Sequence, residues 1–186
     1  RVRIIPSAVG GGFGSKLDVS LQPLLGLVTL KTGRPCRMTY SRSESMSSTT
    51  KRHPAEMKGR IGCDATGRIT AVEFEGRFNT GAYSSWGPTV ANRVPVHVSG
   101  PYFTPHIRAQ ARAIHTHGPV SGAFRGFGVP QAALWQETIY DRLADKAHFP
   151  RADVGDLVAI FCAGAYGASA SPRGFLGHPR VMEALV

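Results

Sequence analysis

An α+β fold is predicted by three features of the sequence. Two alternating apolar and polar runs, at 57–63 and 68–75, flank the turn Asp64-Ala65-Thr66-Gly67 and read as an antiparallel hairpin. Apolar residues at helical spacing follow each of two glycine-rich stretches, Gly10-Gly11-Gly12-Phe13-Gly14-Ser15-Lys16 and Gly122-Ala123-Phe124-Arg125-Gly126-Phe127-Gly128. With 42% hydrophobic residues among 186, the chain can bury a core of ordinary size. No apolar run reaches the roughly 18 residues of a membrane-spanning helix.

Taken in order, residues 2–9 read as a short strand leading into the first glycine loop. Val19, Leu21, Leu24, Leu25, Leu27, Val28 and Leu30 then read as a mostly buried helix, with Ser20 as cap, Pro23 in its first turn and Gly33 closing it. Residues 35–40 read as a strand, the hairpin follows, and 107–116 is a further strand. Pro130 suits the first position of a helix whose apolar face is Ala133, Leu134, Ile139, Leu143 and Ala147. Each glycine loop therefore precedes a helix, whose N–H groups and positive dipole end favour an anion or a metal oxo group. Asp18, the acid nearest a glycine loop, reads as a helix cap.

Charge and cysteine content restrict the function classes. The net charge is +10, and the whole excess lies in residues 1–146, with 19 Lys and Arg against 9 Asp and Glu; residues 147–186 hold 3 of each. The basic residues are scattered through strand-like text without the aromatic-basic stripe of an RNA-binding sheet, which sets a nucleic-acid-binding module behind an anionic cofactor with a pyrophosphate. Cys36, Cys63 and Cys162 form no CxxC pair, so they read as reduced, buried thiols and not as iron-sulfur or zinc ligands. His115 and His117 would share one face of a strand, but no third ligand accompanies them. The first residues, Arg-Val-Arg-Ile-Ile-Pro, lack an apolar signal segment and an initiator Met, so they read as an internal cut, which carries no information on export; a cytoplasmic protein is the expectation.

The two glycine loops, each with phenylalanine inside a glycine frame and 112 positions apart from Phe13 to Arg125, resemble the GGGFGxK and AFRGFG motifs of the molybdenum hydroxylases, the xanthine dehydrogenase and aldehyde oxidase family. Lys31-Thr32-Gly33-Arg34-Pro35, Lys51-Arg52-His53-Pro54, Asn79-Thr80-Gly81-Ala82-Tyr83 and the text of 123–131 are similar to further landmarks of that family. The resemblance covers residues 1–147, a middle portion of the large subunit, and implies a fragment of its molybdopterin-binding domains. It implies a molybdenum-molybdopterin cofactor, as such or as the cytosine dinucleotide, with iron-sulfur and FAD groups on partner subunits or domains. The implied reaction is oxidative hydroxylation of an aldehyde or N-heterocycle with water as oxygen donor.

Position by position, the resemblance makes Gly12, Phe13, Gly14, Ala123, Phe124 and Arg125 cofactor contacts, with the Phe13 and Arg125 backbones beside the metal. It makes Phe127 a ring that stacks on substrate, and Arg93 the cation that stabilises charge developing there. Leu17 stands where purine oxidisers carry a Glu, and its apolar side chain cannot bond a purine, so aldehydes or less polar heterocycles fit better. The family's base, a Glu in a segment far beyond the second loop, has no match here, nor has its more N-terminal glutamine. No catalytic residue is therefore assigned within this chain, and a catalytically inactive fragment is the alternative to an enzyme.

The tail reads differently. Residues 148–186, with Ala163-Gly164-Ala165-Tyr166-Gly167 and Phe175-Leu176-Gly177-His178-Pro179, are similar to the C-terminal end of the pyridoxal-phosphate decarboxylases of the diaminopimelate and ornithine type. By that likeness Tyr166 is a phosphate contact, yet the Schiff-base lysine and barrel are missing and no pyridoxal phosphate is expected. The change in charge balance coincides with a chimeric join between positions 146 and 151, checked by amplifying the junction from source DNA.

Overall fold

A computed structural model describes residues 1–147. The order is α1 (Gln22–Thr32), α2 (Arg42–Ser48), β1 (Ala55–Cys63), β2 (Ile69–Gly81), α3 (Gly87–His97), β3 (His106–His115) and α4 (Val129–Ala147). Tyr166, Cys162 and the expected join lie outside the described residues.

The strands form one sheet in the order β1-β2-β3. β1 and β2 pair antiparallel through the expected turn, which Asp64 closes: its Oδ1 accepts from the Thr66 N–H at 2.8 Å and the Arg68 N–H at 3.0 Å. β3 pairs parallel with β2, which requires a crossover, and α3 is the helix within it. Strict alternation along β2 sends Val72, Phe74, Phe78 and Thr80 into the core and leaves Glu75 and Arg77 exposed. On that outer face Glu73 accepts from Arg60 of β1 and lies 3.5 Å from Arg108 of β3, an exposed arrangement worth under about 1 kcal/mol.

The core joins β2 to α3 and α4 through Val72, Phe74, Phe78, Ala91, Val94, Val98, Ala132 and Trp135. The Phe74 and Trp135 rings meet edge to face at 4.8 Å. Gly59 opposite Phe74 makes room for the indole, since a Cβ there would lie 2.3 Å from Trp135 Cζ2. This notch sets the rotation of α4 and corrects the expected face. Gln131, Ala132, Trp135 and Gln136 are buried while Ala133 and Leu134 are exposed; Ile139 and Leu143 are half-buried.

Several other expectations are corrected. Residues 2–9 and 35–40 form no strand, because no neighbouring strand among the described residues offers them a ladder. α1 starts at Gln22 after Leu21, and Ser20 does not cap it: the Ser20 N–H donates to Gln22 Oε1 at 2.9 Å instead. Gly33 does close it, at φ 64°. None of its residues is buried; its apolar side chains point all round and the described residues leave Leu24, Leu27, Val28 and Leu30 exposed. Cys36 is exposed and Cys63 half-buried, against the expectation of buried thiols, and both are free. α3 was not foreseen, because Pro95 within it argues against a helix; Pro88 in its first turn fits. Among the described residues no helix is long and apolar enough to cross a membrane.

Candidate functional site

The two glycine loops meet backbone to backbone. A Cβ on Gly14 would lie 2.6 Å from the Ala123 carbonyl carbon and 2.7 Å from the Phe124 nitrogen, so only glycine permits this approach. Gly14 itself takes φ 91° and Phe13 φ 50°, both left-handed, and the Leu17 N–H returns to the Gly14 carbonyl at 3.1 Å. The Lys16 ammonium folds back onto the Gly11 carbonyl. Gly12 is half-buried within the loop, and the side chains of Phe13 and Leu17 are exposed.

The second loop is held by its neighbours before it opens into α4. The Ser121 N–H donates to Thr80 and the Gly122 N–H to Lys51, at 3.1 and 3.0 Å. Gly126, Phe127 and Gly128 then take φ of 87°, 48° and 99°, and the Phe127 N–H closes onto the Phe124 carbonyl at 2.8 Å. A left-handed phenylalanine costs about 1–2 kcal/mol, so Phe13 and Phe127 mark the loops as strained where a site is expected. Gly128 backs onto α3: a Cβ there would meet the Val90 carbonyl oxygen at 2.7 Å and Arg93 Cβ at 3.3 Å. That close approach is what brings Arg93 to the loop from an otherwise unforeseen helix.

Around the junction each phenylalanine carries a guanidinium. Arg125 lies 5.6 Å from the Phe13 centroid, Arg93 5.8 Å from Phe127, and Arg52 4.9 Å from Phe124. The Trp86 ring meets Phe127 edge to face at 6.2 Å. Among the described residues the salt bridges are those of Glu73 with Arg60 and Arg108, so these three arginines face rings and not carboxylates. The structure thus brings together Phe13, Gly14, Ala123, Phe124, Arg125, Phe127 and Arg93, with Gly12 and Leu17 adjoining in the first loop.

Asp18 corrects an expectation, since it does not cap a helix. Its carboxylate accepts from Thr50 Oγ1 at 3.1 Å and from Ser85 Oγ at 2.8 Å, and it would lie 2.9 Å from a Cβ on Gly122. It ties the end of the first loop to Thr50 and Ser85, close beside Gly122 of the second. Beside it lies a hydroxyl-rich cleft of 470 Å³, lined by Ser15, Tyr40, Thr50, Tyr83 and Ser85 among others. A second unforeseen group is His53, which is buried with both ring nitrogens lacking a partner among the described residues; burial, then the Arg52 charge, push its pKa down and so favour the neutral ring. The only sequence signal for Arg52 and His53 is the Lys51-Arg52-His53-Pro54 landmark, which carries no role by itself.

His115 turns its Nδ1 to the Gly81 carbonyl at 3.3 Å, and among the described residues no group of three His, Cys, Asp or Glu could hold a metal ion. These loops thus offer backbone N–H groups, aromatic rings and guanidinium charge, a donor set suited to an anionic organic group that brings its own metal ligands. The guanidinium charge of Arg93 and Arg125, which among the described residues is paired with rings and with no carboxylate, fits such a group.

Fold and site define an α+β domain whose paired glycine loops form an arginine- and phenylalanine-rich junction. The molybdopterin cofactor-binding domain family matches residues 1–156, and the chain belongs to that family. It is 47% identical to the nicotinate dehydrogenase large molybdopterin subunit of Eubacterium barkeri, over 77% of this chain and 34% of that protein. It is 39% identical to a probable xanthine dehydrogenase subunit of Bacillus subtilis, over 77% of this chain and 19% of that one. The aldehyde oxidoreductase crystal structure from Desulfovibrio desulfuricans superposes with a TM-score of 0.71 at 31% identity, over 76% of this chain and 16% of that one. The chain therefore spans about a third or less of the relatives it matches.

Proposed function

We propose that this chain forms part of the large subunit of a molybdenum hydroxylase that oxidises an aromatic N-heterocycle, with iron-sulfur and FAD groups on partner subunits or domains. The observation that carries this is the contact of Gly14 with Ala123 and Phe124, which makes one site of two glycine loops. The bound molybdenum-pterin group supplies two-electron oxidation with water as the oxygen source. Gly12, Phe13, Gly14, Ala123, Phe124 and Arg125 would hold it, with the Phe13 and Arg125 backbones nearest the metal. The proton-abstracting base is assigned to no residue of this chain.

Arg93, Phe127 and Leu17 would face the substrate. Phe127 between the Trp86 edge and the Arg93 guanidinium suits a flat ring that gains negative charge as it reacts. That favours a heterocycle over an aliphatic aldehyde, as does the likeness to a nicotinate dehydrogenase; Leu17 disfavours purines. In the full-length enzyme, Arg93→Met is expected to lower kcat on a pyridine carboxylate about a hundredfold, the scale of losing one preorganised donor, with molybdenum content unchanged. Faster turnover of aldehydes than of any N-heterocycle by the parent enzyme would refute the substrate class. Full activity of the Arg93→Met protein would remove Arg93 from the site.

A further inference from the structure

Lys51, Arg52 and His53 run as a strap along the second glycine loop, and each holds it at a different point. The Lys51 carbonyl accepts from the Gly122 N–H at 3.0 Å, and the His53 carbonyl from Gln131 Nε2, at the start of α4, at 3.4 Å. Between them, the Arg52 guanidinium donates to the Arg125 carbonyl and stacks 4.9 Å from the centre of the Phe124 ring. The strap is itself anchored, because the Lys51 ammonium donates to the Ser45 carbonyl at 2.9 Å and the Thr49 carbonyl at 2.6 Å. Phe124 is thus gripped from two sides, its backbone against Gly14 and its ring against Arg52.

Arginine suits this position and lysine does not, since one planar group must donate to a carbonyl while lying on an aromatic face. The consequence lies in the Arg125–Gly126 peptide. It is trans, so a carbonyl turned toward Arg52 sends the Gly126 N–H to the opposite side, away from the strap.

We propose that Arg52 is the positioning residue of the second glycine loop: it fixes the Phe124 ring and the Arg125 carbonyl together, and thereby sets the direction of the Gly126 N–H that the loop presents to its ligand. The identity of that ligand rests on the molybdopterin reading above; the grip on the loop does not. Arg52 touches no reacting atom and acts through Phe124 and Arg125.

The test compares the full-length protein with its Arg52→Met and Arg52→Lys variants, each prepared with and without cofactor. Hydrogen exchange is followed in residues 122–128 and, as an internal reference, in the β1–β2 hairpin. With Met, exchange in 122–128 is expected to rise about tenfold in both forms, the scale of losing a hydrogen bond to a charged donor, while the hairpin is unchanged. Lys, which can donate but not stack as a plane, is expected to fall between Met and the parent. In the loaded Met protein the molybdenum(V) paramagnetic signal shifts and kcat falls with little change in KM. Unchanged exchange in 122–128, equal loosening of the hairpin, or a Lys variant indistinguishable from the parent overturns the proposal. Faster loop exchange with an unaltered signal and kcat overturns its link to the site. If the parent protein takes up no molybdenum, the molybdopterin reading fails, and exchange in the cofactor-free form still decides the role of Arg52.

Discussion

Gly14→Val is expected to abolish molybdenum uptake by the full-length protein while leaving its sheet and helices folded. Two costs combine at this position. The backbone sits at φ 91°, which a β-branched residue resists, and the added Cβ would fall 2.6 Å from the Ala123 carbonyl carbon and 2.7 Å from its oxygen. Both are backbone atoms, so no flexible side-chain end can swing aside. Strain of about 1–3 kcal/mol from the dihedral alone, with the overlap added, exceeds what the loop contact can absorb, and the loops part. Elemental analysis should show metal content down by more than about tenfold, equivalent to 1.4 kcal/mol or more. Gly26→Ala is the control: that glycine lies within α1, has no positive φ and has nothing within 4 Å of where the added methyl would sit, so uptake should be unchanged. Normal metal content in the Gly14→Val protein would show that the backbone contact between the loops is not needed for the site.

Phe74→Ala is expected to cost the chain about 3–5 kcal/mol, a large share of the roughly 5–15 kcal/mol that holds a domain together. Phe74 is 1% exposed at the centre of β2 and meets the Trp135 ring edge to face at 4.8 Å. Its loss leaves a cavity that the strand backbone cannot collapse into and removes the partner that seats α4. Because the Ala132 N–H bonds the Gly128 carbonyl at 3.1 Å, an unseated α4 also loosens the end of the second glycine loop. Equilibrium urea unfolding measures the effect. A loss under about 1 kcal/mol would mean that the packing of α4 on the sheet is not the main support of the loop.

What could be read in advance follows the range of the interactions concerned. The hairpin was legible because alternation along 57–63 and 68–75 and the turn between them are local, and the structure lengthens it only at its open end, to Ala55 and Gly81. The second loop and α4 were legible as an element, but not the rotation of α4, which depends on a notch that Gly59 opens for Trp135 from a distant strand. α3 was hidden by Pro95. α1 was found, yet its burial was not: an apolar helix implies a cover, and the described residues do not provide it.

The site divides in the same way. Phe13, Gly14 and Ala123 to Arg125 stand out through glycine spacing, and the structure brings the two loops into contact as a single junction. Asp18 and Arg52 did not stand out, because their meaning lies in partners 67 and 73 residues away, Ser85 and Arg125. A carboxylate before a helix reads as a cap until its tertiary partners are known. A lone arginine in a basic chain reads as surface charge for the same reason.

Molybdenum and pterin content tests the central claim most directly, measured by elemental analysis and by the fluorescence of the oxidised pterin on the full-length protein expressed with the molybdenum-cofactor assembly machinery. The account expects near-stoichiometric metal and pterin that survive gel filtration. A folded protein devoid of both would contradict it, and would leave the paired glycine loops as family ancestry without a working site.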